Sequence, residues 1–130
     1  MIQAMSGMMS IAGLADMEPW VAPLCVGVVI TDLFTGIYTS TTILTALEAL
    51  HRTGRRQQHI DMALLDVGMA VPANQATVYL NTGAMPRRQG NFHPSLAPYQ
   101  DSSTTDSAMP LAVGNHGQFL RFCHVAGKPE

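Results

Sequence analysis

Charge is scarce in this sequence of 130 residues: seven Lys and Arg and nine Asp and Glu make up 12% of it, for a formal net charge of −2. An ordinary soluble domain is about 25% charged. So little charge leaves few polar side chains to cover a free monomer, and it implies surface that another chain, or more of the same chain, covers. The slight negative balance excludes non-specific nucleic-acid binding, which needs a basic patch. No apolar run reaches the ~18 residues of a membrane span, so no membrane partner is expected. The N-terminal "MIQAMSGMMSIAG" lacks the basic region of a signal peptide. Only two cysteines are present, Cys25 and Cys123, far apart and without a CxxC. They support neither a disulfide framework nor a zinc site, and they fit a reducing cytoplasm. The histidines show no HExxH or comparable spacing, so no metal site is expected.

What the sequence has in quantity is apolar surface. The hydrophobic fraction is 47%, and nine of the residues are methionine, a side chain suited to adaptable packing surfaces. Residues 1–22 read as irregular, with Pro19 and Pro23 flanking Trp20. "VGVVI", residues 26–30, is an apolar run without alternation, as expected of a strand buried on both faces. From Leu33 the period becomes helical: Ile43, Leu47 and Leu50 share a stripe, with Leu44 and Ala46 beside it, and Gly54 supplies the stop. "QHIDMALLD", residues 58–66, reads as a second strand leading into a second helix, which Pro72 is expected to kink and Asn81-Thr82-Gly83 to end. Some 27 residues without clear pattern follow, a length that in a compact unit points to a functional or mobile loop. "PLAVGN" then reads as a third strand and "HGQFLRFCHVAG" as a third helix. Strands alternating with helices argue for an α/β fold with some parallel pairing.

The first chemical candidate is Asp32. It follows the apolar run and opens the helical pattern, in "VGVVITDLFTGIYTS". Ligands of α/β sheets sit outside the carboxyl ends of strands, where helix N-termini favour negative charge. A carboxylate there could attack an activated acyl group and form a covalent intermediate. It could equally be an N-cap, accepting bonds from N–H groups two or three residues on. The pairs Arg55-Arg56 and Arg87-Arg88 suit phosphate through their planar forks, or are solvated loop residues. "RRQGNFHPSLAPY" contains Gly90 and Asn91. Glycine lets a backbone approach a ligand closely, and free N–H groups there could stabilise an oxyanion; a turn-rich surface loop is the alternative. Cys25, in an apolar stretch with no obvious base, reads as structural. Asp61 and Asp66 flank the second junction and read as capping or solvated.

Taken together, "QAMSGMMSIAG", "VGVVITDLFTGIYTSTTILTALEALHRTG", "IDMALLD", "NQATVYLNTGAMPRRQGNFHPSLAPYQ" and "LAVGNHGQFLRFCHVAGKPE" resemble the family III CoA-transferases. That family includes formyl-CoA:oxalate and carnitine-type CoA-transferases. The resemblance runs over nearly the whole chain in the same order, and it implies partial Rossmann-like strand–helix units, then a long loop and a further strand–helix unit. It divides the chain into a central portion over 1–83, a loop or linker over 84–110 and the start of a smaller domain over 111–130. Full-length members are much longer, and this chain corresponds to their middle portion. Members form dimers of two interlocked ring-like chains.

The resemblance implies that Asp32, in a pattern like A-D-x-x-T/S-G, is the catalytic nucleophile. It places Leu64 beside the CoA, and Gly90 and Asn91 on a loop over the aspartate. Coenzyme A enters as substrate, with no tightly bound cofactor, and the partners are an acyl-CoA and a small carboxylic acid. Three departures from the family pattern stand out. The turn usually written T-G-x-G-Q reads "TGRRQQ", the stretch before Asp32 is a few residues longer than usual, and Ser107 in "TTDSAMP" occupies the place of a glycine. The family also contains α-methylacyl-CoA racemases, which add a histidine well upstream; no histidine precedes Asp32 here. An inactive truncated piece of such an enzyme is the other alternative.

Overall fold

The structure is a computed structural model that describes residues 1–16, 19–54 and 58–128. Two short helices open the chain, α1 (Ile2–Met5) and α2 (Met8–Ile11). The 24-residue α3 (Ile30–Thr53) follows, then α4 (Leu64–Ala70) and α5 (Ala73–Thr82). A hairpin of β1 (Tyr99–Ser103) and β2 (Ala108–Ala112) leads into α6 (His116–Val125). The mixed helix and strand composition agrees with the α/β expectation, but the sheet does not. The described residues form one two-stranded antiparallel sheet, with Tyr99 opposite Ala112 and Ser103 opposite Ala108.

Neither of the first two expected strands forms. Residues 26–29 are paired with no strand and bend at Gly27 and Val28, and residues 58–63 run without regular structure into α4. An apolar run becomes a strand only when a neighbour satisfies its backbone, and a side chain does that here. The Gln3 amide nitrogen donates to the carbonyls of Val26 (3.2 Å) and Val28 (3.3 Å), and its oxygen accepts from the Val26 N–H (2.9 Å). The third expected strand is β2, displaced by two residues and paired backwards onto β1. That partner lies inside the stretch read as patternless, because "YQDSS" carries no apolar alternation.

The helices end where glycine was expected to end them. Gly54 (φ 66°) and Gly83 (φ 71°) take the left-handed conformation that stops α3 and α5, and each donates its N–H back into the helix. Pro72 does more than kink the second helix. Lacking an N–H, it separates α4 from α5. The place read as irregular at the N-terminus holds α1 and α2, each of four residues. These are too short to show a helical period.

The core is small. Among the described residues the buried apolar side chains are Met8, Val67, Val113 and Cys123, and Thr31 is the buried polar one. Helix α4 is the hub, packing against α1, α3 and α5. Its Gly68 makes this possible: a Cβ there would lie 3.1 Å from Ile2 Cγ2 and 3.2 Å from Ser6 Cβ.

Candidate active site

Asp32 is the third residue of α3, one turn in from the free end. The N-cap is Val29, which offers no side-chain bond, so the capping role weighed for Asp32 is not the one it plays. Helix start is set instead by the backbone. The Ile30 N–H donates to Val28 O (2.8 Å) and the Leu33 N–H to Val29 O (3.0 Å). The N–H groups of Thr31 and Asp32 fall in the first turn, which has no intrahelical acceptors. They give the helix end its partial positive charge, and the exposed Asp32 carboxylate sits beside it.

Thr31 holds that carboxylate. Its side chain is the buried polar group of the core, at 3% exposure, and its Oγ1 donates to Asp32 Oδ2 (3.3 Å). The Thr35 hydroxyl donates to Thr31 O (2.7 Å), tying the first turn to the second. The residue-by-residue reading of the sequence missed Thr31. Its signal was only its place immediately before the acid.

Leu64 opens α4, with Ala63 as N-cap, and so stands at the start of the helix that packs on α3. Gly90 and Asn91 lie on a turn closed by the Phe92 N–H to Gln89 O (3.2 Å). Gly90 needs its positive φ of 61°, and its Cα faces the backbone nitrogen of Ala15, 3.5 Å from where a Cβ would be. Asn91 Nδ2 donates to Asp101 Oδ2 on β1. Among the described residues no hydrogen bond or ion pair joins Asp32 to Leu64, Gly90 or Asn91.

Arg88 explains how the Gly90 turn is held. Its Nη2 lies 2.6 Å from Asp16 Oδ1, with the Arg88 side chain only 16% exposed. Its carbonyl accepts the Asp16 N–H (3.3 Å). The phosphate role considered for Arg88 is therefore replaced by a structural ion pair, between residues so far apart in sequence that no local pattern signals it. Arg87 stays exposed and borders a cavity of about 220 Å³ with Asn74, Gln89 and Ser95. Arg55-Arg56 lie outside the described residues. His93 belongs to the same turn-rich segment. Its Nδ1 accepts the Ser95 N–H (3.1 Å), and its ring centroid is 5.0 Å from that of Tyr99. Among the described residues no three His, Cys, Asp or Glu side chains are grouped as a metal ion would need, and no helix is long and apolar enough to cross a membrane.

Known proteins resemble the chain along its whole length. The model of CoA-transferase family III matches residues 1–130. The succinate–glutarate CoA-transferase of Agrobacterium fabrum is 50% identical over 126 residues, which are 97% of this chain and 30% of that protein. The mouse succinyl-CoA:glutarate CoA-transferase is 37% identical over 127 residues, 98% of this chain and 28% of its own. The acetyl-CoA:oxalate CoA-transferase of Acetobacter aceti is 34% identical over 129 residues, 99% and 32% of the two chains. A crystal structure of a CAIB/BAIF family protein from Brucella suis superposes with a TM-score of 0.72 at 45% identity, covering 100% of this chain and 33% of that one. The chain thus spans about a third of the length of the relatives it matches. With its fold and its sequence matched from the first residue to the last, the chain belongs to CoA-transferase family III.

Proposed function

We propose that this chain carries the nucleophile of a CoA-transferase that moves CoA between an acyl-CoA donor and a dicarboxylic acid. The observation that carries the reading is the exposed Asp32 carboxylate on the first turn of α3, steadied by Thr31 Oγ1. Relatives named for succinate, glutarate and oxalate support the dicarboxylate class.

In this reading the Asp32 carboxylate attacks the donor's thioester carbonyl. The carbon–sulfur bond breaks, CoA leaves as thiolate and a mixed anhydride remains. The thiolate then attacks the aspartyl carbonyl and releases the donor's acid, leaving an aspartyl-CoA thioester. The acceptor carboxylate attacks that thioester, and the same two steps in reverse return free Asp32 and the new acyl-CoA. Every step exchanges one activated acyl group for another, so no net redox change or metal is called for. Each tetrahedral intermediate carries an oxyanion, which the first-turn N–H groups of α3 are suited to receive. The Thr31 hydroxyl keeps one carboxylate oxygen occupied and leaves the other to attack. Water has to be excluded, because it would hydrolyse the anhydride. Leu64 against the CoA, and the Gly90–Asn91 turn as part of a closing loop, complete the proposal. So do a Rossmann-like sheet into which residues 26–29 pair, a smaller domain beginning near residue 111, and an interlocked homodimer of the longer polypeptide. We place the reaction in a reducing cytoplasm, where the exposed Cys25 stays a thiol.

The chain's span of about a third of its relatives favours a second reading, in which these 130 residues alone are inactive. One experiment addresses both. The 130-residue chain, and a polypeptide in which it replaces the matched stretch of the Agrobacterium enzyme, are incubated with succinyl-CoA. Hydroxylamine or borohydride traps the intermediate, and mass spectrometry maps it. Modification at Asp32 in the longer polypeptide, lost in Asp32→Ala, is the expected result. Modification elsewhere, or full transfer by Asp32→Ala, overturns the nucleophile. Exchange of the α-proton without CoA transfer would mark the racemase branch, and trapping in the 130-residue chain itself would overturn the inactive reading.

A further inference from the structure

The approach to α3 is held by one side chain. Residues 25–29 lead straight into the helix. Among the described residues, every hydrogen bond between them and a distant part of the chain is made by Gln3. Its amide uses both ends. Nε2 donates to Val26 O (3.2 Å) and Val28 O (3.3 Å), while Oε1 accepts from the Val26 N–H (2.9 Å) and from the Cys25 thiol (3.1 Å). A carboxamide offers two donors and two lone pairs, so this one is fully engaged.

Val28 is where the clamp meets the helix. Its carbonyl takes two bonds, one from Gln3 and one from the Ile30 N–H (2.8 Å). The Gln3 amide and the first N–H of α3 thus converge on one oxygen, just upstream of Asp32. Val29 gives the helix no side-chain cap, so no side chain at the helix start itself fixes where the free end lies. Gln3 can fix it because its own backbone is anchored. Ile2 and Ser6, on either side of it, lie against Gly68 of α4, and Ser6 Oγ donates to Gln3 O (3.4 Å). Helix α4 packs in turn on α3. Helices α1, α4 and α3 and the approach segment form a closed circuit, and the Gln3 amide closes it.

We propose that Gln3 is a positioning residue for Asp32: its amide sets the place of the free end of α3, and with it where the carboxylate and the first-turn N–H groups meet a bound thioester. The proposal rests on the reading of Asp32 as the nucleophile. Magnitude separates it from a role in folding alone. Gln3 is half-buried and its bond to Val28 O is open to solvent, so water replaces the lost bonds at small cost in stability. Water does not hold the segment in place, and a misplacement of about 1 Å at a reacting group costs on the order of 10²-fold in rate.

The test uses the longer polypeptide in which this chain replaces the matched stretch of the Agrobacterium enzyme. Gln3→Leu should lower kcat, and the rate at which the Asp32 adduct forms in a single turnover, at least about tenfold, with KM for succinyl-CoA within about twofold and the melting temperature little changed. Gln3→Glu supplies a readout that a merely structural role would not move. Its carboxylate donates to neither Val26 O nor Val28 O, but its protonated form donates to one of them. The ratio of its kcat to that of the unsubstituted polypeptide should therefore rise as the pH is lowered from about 8 to about 5, since facing carbonyl oxygens favour the protonated carboxyl. Should Gln3→Leu fail to fold, the pH dependence of Gln3→Glu decides. Unchanged rates in folded variants, a ratio flat with pH, or failure of both variants to fold overturns the proposal. An adduct mapped to a residue other than Asp32 in the unsubstituted polypeptide defeats the nucleophile reading and this proposal with it. An adduct on Asp32 that forms equally fast in the variants defeats this proposal alone.

Discussion

Helix α3 takes its order from its own backbone, whereas the irregular segments flanking β1, residues 84–98 and 104–107, are held largely by side chains. Along α3 the hydroxyls of Thr35, Thr41, Thr42, Thr45 and Thr53 each donate to the carbonyl four residues back, at 2.7 to 3.0 Å. Threonine is a poor helix former, but this back-bonding lets it sit inside a helix without needing water. Such a helix satisfies its polar groups locally and leaves its apolar ones unsatisfied. The later stretch does the reverse. Asn91 bonds Asp101, Arg88 bonds Asp16, and Thr104, Asp106 and Ser107 close the hairpin turn among themselves. There, little apolar surface is buried, yet the irregular backbone is held at many points. The lesson is that regular secondary structure and a finished surface are separate achievements, and this chain separates them in space.

The comparison can be broken at several points. The largest effect belongs to chemistry at the free end of α3. In the longer polypeptide described above, Asp32→Ala should lower CoA transfer at least about 10³-fold, by loss of the nucleophile. Its circular dichroism should stay unchanged, because the exposed Asp32 caps nothing. Loss of helix instead would show that the residue serves the fold.

Next comes the clamp on the Gly90 turn. Asp16→Ala strands a guanidinium that is only 16% exposed, and should cost about 1–3 kcal/mol, read as a lower denaturant midpoint. Proteolysis near Arg87 and Arg88 should quicken as well. An unchanged midpoint would show that the segment is held by other contacts.

The two helix starts offer a sharper contrast. Asn115 caps α6 by accepting the Gln118 N–H (3.0 Å), whereas Val29 gives α3 no side-chain cap. Asn115→Ala should cost about 1 kcal/mol, and Val29→Ala should stay within about 0.5 kcal/mol, as a surface change away from any cap does. Equal losses at the two sites would mean that α3 is capped by something other than its backbone. Smallest of all, Arg52→Ala removes an exposed pair with Glu48 and should cost about 0.3–0.5 kcal/mol, vanishing at high salt.

Legibility in the sequence followed the range of the forces involved. The body and end of α3 were readable from period and from Gly54, and proline alone marked a disturbance at Pro72, read as a kink where the fold makes a break. The expected strand over 26–30 was not realised, because pairing is decided by a distant partner, and Gln3 supplied that pairing from the chain's start. Ser107, where a glycine was expected, causes no strain. The turn is closed by the Thr104 hydroxyl receiving the Ser107 N–H at 3.0 Å, which needs no positive φ. Of the site, Asp32 was readable from its neighbourhood and from the family it resembles. Thr31 as its partner was signalled only by its place before the acid, and Asp16 as the partner of Arg88 was not signalled at all, since nothing in residue order announces a bond made across folded space.

By itself, the sequence determined where the backbone turns helical, where glycine and proline stop it, and which carboxylate stands at the head of α3. Those are properties of residues within a few positions of one another, set by steric preference and local hydrogen bonds. The tertiary structure alone decided which face of α3 is shielded. The stripe of Ile43, Leu47 and Leu50 would, by period, be assigned to the core, and the fold instead shields Leu50 with the threonines and alanines beside it and leaves Ile43, Leu44 and Leu47 open. Burial depends on what else is near, and periodicity names a face without naming its partner.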